Sequence, residues 1–277
     1  QVVVTQTLSK TPKVKHITKN LVMQINCKLG GALWNVTIPY SKLMVCGINI
    51  FPDTSRKCLV MGFVASSDPL QLSWHSKVGF GASIKEFGNT LYLGMLNALK
   101  RYKEVSGVLP HRILVYRDEL SDEEVKLIQE IDVPNFTKSF RDVAVKYRPK
   151  LTVIICQRKI MTRLMAVEDA WGLNIGMCNP MPGVVLDHTI TRCDQYDFFL
   201  ISQNDKFGTV SPTHYVVAYD SGDMSPDKLH KISYKMAHLY YNVPGLISIP
   251  APVQYAHRLA RLVGEHLHEE PSPALSD

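Results

Sequence analysis

The sequence predicts an α/β protein in which helices flank a mixed β-sheet. Two apolar, β-rich runs come first, at 43–51 and 58–66, and the turn-forming residues PDTSRK between them predict an antiparallel hairpin. Further strand-like runs then alternate with helical ones, which is the order typical of a sheet covered by helices. The 277 residues suffice for one large domain, or for one domain with part of a neighbour.

The first 31 residues are predicted to contain a helix that precedes this sheet. The run LVMQINCKL supplies an apolar face, and Gly30-Gly31 after it is a turn signal. From about Trp34 onward the pattern changes to alternating strands and helices.

A third strand and a long helix follow the hairpin. LQLSWHSKVGF has the composition of a strand. Over 84–105, apolar side chains recur at spacings of three and four, which places them on one face of a helix. These side chains are Phe87, Leu91, Met95, Ala98 and Tyr102.

The second half continues the alternation. RILVYRD at 112–118 is predicted to be a buried strand, and Ser121 with Glu124 forms a capping box that begins a helix. LTVIICQ at 151–157 is predicted to be a further central strand.

DFFLISQ and PTHYVVAYD add further β-structure to this half. Ser225 and Pro226 then suit the N-cap and first position of a helix, and a last helix follows IPAP. The chain is thus predicted to end in two helices.

Composition narrows the function classes only slightly. A formal charge of +6 suits a polyanionic partner such as RNA, although many basic proteins bind none. Walker, GxGxxG, HExxH and GxSxG motifs are absent from the sequence, which removes support for the common nucleotide-binding, protease and hydrolase classes. Six cysteines without CxxC spacing, several of them in apolar runs, favour reduced thiols and an intracellular compartment.

Three polar side chains are candidates to converge at one end of the predicted sheet. Asn49 lies in the first strand, Asp118 ends RILVYRD, and His257 lies on the final helix. Cleavage of a phosphodiester with two divalent cations needs oxygen-rich ligands that meet at one point, as they can at the ends of adjacent strands. Glu86, just before the long helix, could join them if its segment moves.

Each candidate also has a simpler interpretation. Asp118 could begin a turn, and Asn49 could do no more than form a hydrogen bond with a neighbouring backbone group. His257 could be an ordinary histidine on the surface of a helix or in the core. Glu86 could be a first-turn acid that complements the helix dipole. From residue patterns alone, nuclease activity is the minority hypothesis.

The order of the motifs changes that balance. GINIF, HRILVYRDEL, LTVIIC, YDFFLISQ, SPTHYVVAYD and IPAPVQYAH occur in sequence, and YRD, then SPTHY, then IPAP-x-x-YAH is a specific series. Over essentially its whole length the chain resembles the Piwi branch of the Argonaute family. The resemblance implies an RNase H-like Piwi domain over 34–277, lacking its last few residues. The C-terminal part of a MID domain would precede it over 1–33.

The resemblance also implies a function. That family holds a small guide RNA by its 5′ phosphate in the MID domain and pairs it with target RNA. Active members cut the target with an Asp-Glu-Asp-His tetrad and Mg²⁺, for which Mn²⁺ can substitute. In this chain Asp118 matches the second aspartate, His257 the histidine and Glu86 the mobile glutamate. The metal ligands would be Asp118, His257 and the residue at the first aspartate position, which here is Asn49 of Gly47-Ile48-Asn49.

Asn49 is the main departure from the family's pattern. An asparagine offers one neutral carbonyl oxygen where an aspartate offers a full negative charge, so metal binding should weaken. The first hypothesis is therefore a guide-RNA (piRNA-type) binding protein that silences by recruitment, with impaired cutting. The second is an active Mg²⁺-dependent endoribonuclease, and the third is a decayed paralogue that binds neither RNA.

Two groups of residues are candidates to contact RNA phosphates. By resemblance, Gln1, Gln24 and Lys28 match positions that contact the 5′ phosphate, although each could be ordinary helix-surface polarity. A second, basic group follows LTVIIC and consists of Arg158, Lys159 and Arg163. These could contact the RNA backbone or form a solvated turn, and backbone contacts would make affinity fall steeply with salt.

The implied partners are a small guide RNA, its target RNA and proteins of a silencing complex. No apolar run reaches membrane-spanning length, so no membrane partner is expected. The expected location is intracellular, in the cytoplasm, the nucleus or both.

Overall fold

The computed structural model describes residues 14–121, 124–170, 174–205 and 208–269, and eight of its strands form one mixed sheet. The strands are β1 (Leu43–Asp53), β2 (Cys58–Ser66), β3 (Trp74–Gly81), β4 (Arg112–Asp118), β5 (Lys150–Gln157), β6 (Ala166–Ala170), β7 (Asn174–Cys178), β8 (Val185–Leu186), β9 (Asp197–Leu200) and β10 (Thr213–Asp220). The sheet order is β3-β2-β1-β4-β5-β10-β9-β8, and β6 with β7 forms a separate hairpin.

The centre of the sheet is parallel and its flanks are antiparallel. β4 lies between β1 and β5 and pairs with both in parallel. β1, β2 and β3 pair antiparallel, as the turn between the first two runs predicted. β5, β10, β9 and β8 complete the other flank, also antiparallel. The predicted mixed sheet is therefore confirmed.

The described residues include five main helices. They are α1 (Val14–Lys28), α2 (Gly88–Ser106), α3 (Val133–Val143), α4 (Pro226–Met236) and α5 (Ala251–Leu262). A 3-10 turn (Ile84–Phe87) leads into α2, while a short helical turn (Val125–Leu127) and a π-helical segment (Ile128–Asp132) lead into α3. A second π-helical segment (Val263–Leu267) extends α5.

Each face of the sheet packs against a different set of helices. Side chains of β1 alternate between the two faces, since Met44 and Cys46 join α2 and α3 whereas Leu43 and Val45 join α4 and α5. The five apolar residues predicted to share one helix face are all fully buried in the first of these cores, four of them on α2 and Phe87 in the 3-10 turn before it. Burial on both faces explains the continuous apolar run of this strand.

Of the two predicted helix starts, one has its predicted capping hydrogen bonds and the other lacks the one from its N-cap side chain. The capping box is confirmed, because the backbone N–H of Ser121 donates to Glu124 Oε2 at 2.9 Å and that of Glu124 to Ser121 Oγ at 3.4 Å. Ser225 is at the N-cap position before α4, but its hydroxyl makes no capping hydrogen bond.

The buried thiols are confirmed in two places. Cys46 in β1 and Cys156 in β5 are buried, and each of the six cysteines is a free thiol. Burial raises the pKa of both buried thiols, so they remain protonated at neutral pH. In the described parts of the chain, no helix combines the length and apolarity needed to cross a bilayer.

Candidate functional site

The carboxyl ends of the three parallel strands meet at one edge of the sheet. Ile48 of β1 pairs with Arg117 of β4, so the next residues along these strands, Asn49 and Asp118, lie side by side. Asp118 pairs in turn with Cys156 near the end of β5. The parallel register thus brings together side chains from distant parts of the sequence.

Two glycines allow α5 to lie directly on this part of the sheet. A Cβ atom on Gly47 would lie 2.2 Å from the backbone of Pro252, and one on Gly62 would lie 2.4 Å from the carbonyl oxygen of Ala256. Only hydrogen fits in these spaces, so glycine sets the separation between the helix and the strands. This close approach positions His257 above the end of β1.

Asn49, Asp118 and His257 form one hydrogen-bonded group. The side-chain amide of Asn49 donates from Nδ2 to Asp118 Oδ2 at 2.5 Å, and His257 Nδ1 lies 3.3 Å from Asn49 Oδ1. Asn49 is 5% exposed and Asp118 is 7% exposed. The structure therefore brings together three of the four residues that the resemblance assigned to catalysis.

Two basic residues after β5 pair with acids at the end of β4. Arg158 Nη2 donates to Asp118 Oδ2 at 3.0 Å, and Lys159 Nζ lies 2.7 Å from Glu119 Oε2. The sequence predicts that Arg158 and Lys159 contact the RNA backbone or form a solvated turn, and neither alternative includes these ion pairs. Nothing in the local pattern shows which way such long side chains point.

Burial and positive charge shift the pKa values of two of these groups. Burial raises the pKa of Asp118 above its ordinary value, while the guanidinium of Arg158 opposes that shift. Burial also lowers the pKa of His257 below its ordinary value of 6.5, and the charges of Arg158, Arg258 and Arg261 lower it further. His257 is consequently a neutral imidazole at pH 7.

Glu86 does not join this group. Its Oε2 accepts a hydrogen bond from the backbone N–H of Ala82 at 2.9 Å, and its Oε1 accepts one from the Ser83 hydroxyl at 3.3 Å. These bonds secure the turn before α2, which matches the helix-start interpretation. In this conformation the exposed carboxylate makes no hydrogen bond to Asn49, Asp118 or His257.

The side chains at the strand ends do not fit a pair of divalent cations. Asp118 Oδ1 is buried without a hydrogen-bond partner and could accept one cation. Oδ2 of the same carboxylate, however, already accepts the amide of Asn49 and the guanidinium of Arg158. Within the described ranges, no three His, Cys, Asp or Glu side chains are grouped closely enough to hold a metal ion. The donor set is one carboxylate, one neutral amide and one imidazole.

Two of the three residues assigned to the 5′ phosphate lie on α1. Gln1 lies outside the described residues. Gln24 and Lys28 lie one turn apart on α1, as their spacing predicted. Gln24 Nε2 donates to the carbonyl oxygen of Asn242 at 3.2 Å, while Lys28 is exposed in the last turn of the helix.

A buried histidine network braces the loop that follows Asp118. His214 at the start of β10 lies 2.6 Å from Asp197 Oδ2 through Nε2, and 2.9 Å from Gln157 Oε1 through Nδ1. Gln157 Nε2 donates to the carbonyl oxygen of Leu120 at 3.2 Å. Sequence reasoning used SPTHY only as a marker, although the histidine in that motif was a signal for a buried polar network.

Arg163, the third of the basic residues, lies apart from the acids. It is exposed, and its guanidinium bonds the carbonyl oxygens of Ile160 and Thr162 at 2.9 and 2.8 Å. Its charge therefore faces solvent.

Comparison with known proteins gives consistent matches. The Piwi domain family model matches residues 1–268. The chain is 42% identical to "Piwi-like protein Ago3" of Bombyx mori and 41% identical to "Piwi-like protein 1" of Gallus gallus, in each case over 278 aligned residues. Both alignments cover 100% of this chain but only 30% and 32% of the relatives. The chain thus spans about a third of the length of these relatives.

Solved structures agree with these matches. The crystal structure of Drosophila Piwi superimposes with a TM-score of 0.83 at 36% identity, and covers 99% of this chain and 37% of that one. A Kluyveromyces polysporus Argonaute crystallised with a guide RNA gives a TM-score of 0.78 at 24% identity, and covers 90% of this chain and 32% of that one. At that identity the second match shows the fold only. The RNase H-like mixed sheet flanked by helices is therefore confirmed.

Proposed function

This chain belongs to the Piwi-type Argonaute family, and we propose on that premise that it holds a small RNA guide and directs silencing without efficient cutting. Membership in the family supports a small-RNA-guided function in general. We further propose that the guide is of the piRNA class and that cutting is impaired. Residues 1–33 would belong to the MID domain and 34–277 to the Piwi domain.

The observation that carries this proposal is the orientation of Asn49. Its amide nitrogen, a hydrogen-bond donor, faces Asp118 Oδ2 at 2.5 Å. An aspartate there would place a second negative charge beside the first, and two carboxylates can share divalent cations. The amide instead satisfies the carboxylate directly and adds no charge.

The electrostatic surroundings point in the same direction. Arg158 contributes a full positive charge 3.0 Å from Asp118, and Arg258 and Arg261 add further positive charge near His257. Positive charge close to a cation site disfavours the binding of divalent ions. We therefore propose that Asn49, Glu86, Asp118 and His257 are a degenerate tetrad that binds Mg²⁺ or Mn²⁺ weakly.

Guide binding is supported by the family and by α1. The family model and the Piwi-like relatives support a small RNA as the guide. In this chain Lys28 is an exposed cation in the last turn of α1, and Gln24 lies one turn before it. We propose that Gln1, Gln24 and Lys28 contact the 5′ phosphate, with Lys28 as the point charge.

The RNA backbone is proposed to pass the strand ends where the basic residues lie. Arg163 is the best placed of the three, because its guanidinium is exposed and bonds only carbonyl oxygens among the contacts described. Arg158 and Lys159 have acidic partners, so their contribution to phosphate binding would be smaller. The target RNA and the proteins of a silencing complex are the further proposed partners, at an intracellular location.

An active endoribonuclease is the second candidate function. Asp118 Oδ1 is buried without a partner, and a neutral His257 lies next to Asn49. These two groups could still hold one cation. Cutting that depends on Mg²⁺ and on Asp118 would favour this function over the first.

Guide binding can be tested at Lys28. In the whole purified protein, Lys28→Gln should weaken binding of a 5′-phosphorylated RNA by about tenfold or more, because one charge-assisted hydrogen bond is lost. Binding of the same RNA with a 5′ hydroxyl should change little. Lys19→Gln, an exposed lysine on the same helix, is the matched control. If both RNAs lose affinity equally in Lys28→Gln, the proposed 5′-phosphate contact is wrong.

A further inference from the structure

We propose that Arg158 is the resident cation of this centre. Its guanidinium supplies the positive charge that pairs with Asp118, and a divalent ion would have to compete with it for that carboxylate. The centre is then closed by an internal ion pair and has a structural role. This role of Arg158 at the strand ends does not depend on guide binding.

The geometry places Arg158 and Asn49 on the same oxygen. Asp118 Oδ2 accepts the guanidinium at 3.0 Å and the amide at 2.5 Å. A metal ion bound to that oxygen would have to displace both donors. Charge-assisted hydrogen bonds of this kind are about twice as strong as neutral ones, so displacing both donors would cost free energy.

Charge balance at the strand ends gives an independent argument. Asp118 and Glu119 at the end of β4 face Arg158 and Lys159 after β5, two negative charges against two positive ones. These four charges cancel without any further ion, and Arg258 and Arg261 add positive charge near His257. A divalent cation would leave two uncompensated positive charges in a partly desolvated place, which costs free energy.

Because Asp118 is buried, its ion pair with Arg158 contributes more to the stability of the fold than a surface ion pair would. The side chain of Asp118 is 4% exposed and that of Arg158 is 34% exposed. A carboxylate that is almost entirely buried needs a charged partner, whereas the pair between Lys159 and Glu119 is open to water, with the lysine 87% exposed. Of the two basic residues, Arg158 therefore carries the stabilising role, and Lys159 provides a matched control.

The first measurement is thermal unfolding of the whole protein in EDTA. Arg158→Gln should lower Tm by roughly 5 °C, because Asp118 loses its charged partner while it stays buried. Lys159→Gln should change Tm by at most about 1 °C. Arg158→Lys, which keeps the charge, should fall between them. Equal, small effects of Arg158→Gln and Lys159→Gln would overturn the proposal.

The second measurement is Mn²⁺ binding, followed by the electron paramagnetic resonance signal of free Mn²⁺. In the Asn49→Asp background, which restores a second carboxylate, adding Arg158→Gln should tighten Mn²⁺ binding by about tenfold or more. Adding Lys159→Gln should tighten it far less. If Mn²⁺ binds equally well with and without Arg158, or if the unaltered protein binds it tightly, the guanidinium is not the resident cation. Guide retention is measured on the same samples, so a failure of guide binding is recorded separately.

Discussion

At the scale of single residues, the difference between a carboxylate and an amide at position 49 is one atom. That atom reverses the direction of a hydrogen bond, since an amide nitrogen donates where a carboxylate oxygen accepts. Asn49 therefore binds Asp118 at 2.5 Å, where an aspartate would repel it. Asn49 thus stabilises the buried acid and, under the proposed function, leaves one carboxylate fewer to hold a divalent cation.

Asp53, at the end of β1, provides a prediction on pH. Its Oδ2 lies 2.8 Å from His268 Nδ1, and its Oδ1 accepts the backbone N–H groups of Ser55 and Arg56. The pKa of Asp53 lies below its ordinary value of 3.8, mainly because of the hydrogen bond from His268. Burial acts in the opposite direction and raises this pKa. A depressed carboxylate pKa stabilises the folded state above the ordinary value, and that stability is lost as pH falls through the depressed value.

The unaltered protein should accordingly have a higher Tm than Asp53→Asn at about pH 7, and the difference should shrink below about pH 4. Asp205→Asn, an exposed residue, should show no such trend. A difference for Asp53→Asn that stays constant down to about pH 3 would contradict the assigned cause.

Sequence reasoning at this scale identified residues better than it identified contacts. Asn49, Asp118 and His257 lie on regular elements, whose register and helix face determine where the side chains point. The partner of Arg158 depends instead on which buried acid lies within reach of a long side chain, and this appears only in the folded chain. Glu86 shows the same limit, since its carboxylate bonds Ala82 and Ser83.

At the scale of elements, the approach of α5 to the sheet determines where His257 lies. Gly47 and Gly62 form the surface on which the helix rests. Gly47 belongs to the run Gly47-Ile48-Asn49, so one short motif supplies both the contact surface and the polar side chain beside the helix.

Gly62→Ala should push α5 away from β2. The new Cβ would lie 2.4 Å from the carbonyl oxygen of Ala256, and backbone cannot move aside as a flexible side chain can. We expect a loss of about 1–3 kcal/mol or more in the free energy of unfolding, measured by chemical denaturation.

Gly176→Ala in β7 is the control, because the residue is exposed and a Cβ atom added to it would meet no other atom within 4 Å. Equal stability of Gly62→Ala and Gly176→Ala would show that the helix does not rest on β2.

Long elements were predictable and short ones were not. The strands β1, β2, β4 and β5 and the helix α2 have continuous apolar runs or a clear helical period, and the structure confirms them. The hairpin of β6 and β7 and the two-residue β8 were not predicted, because such short elements leave little periodic pattern in the sequence. The π-helical segment before α3 likewise has no sequence signal.

At the scale of the whole molecule, the segment around α1 is tied to the body of the domain by a few specific contacts. The indole N–H of Trp34 donates to the carbonyl oxygen of His238 at 2.6 Å, and the Tyr241 hydroxyl donates to the carbonyl oxygen of Trp34 at 2.5 Å. Gln24 adds a bond to Asn242. If Lys28 holds a guide phosphate, these contacts connect the phosphate to the loop that precedes α5 and His257.

The fold and the family followed from sequence at this scale because the order of motifs is specific along the whole chain. The charge balance at the strand ends did not follow from it, because it depends on side-chain pairs between β4 and β5. The function must therefore be tested by measuring RNA binding and Mg²⁺-dependent cleavage directly.

The most direct test is to load the whole protein with guide RNA and follow a fully matched target in Mg²⁺. The account predicts that guide and target stay bound while cleavage is slower, by about 100-fold or more, than that of a cutting member of the family under the same conditions. Cleavage at a comparable rate, lost on Asp118→Ala and not increased by Asn49→Asp, would contradict it.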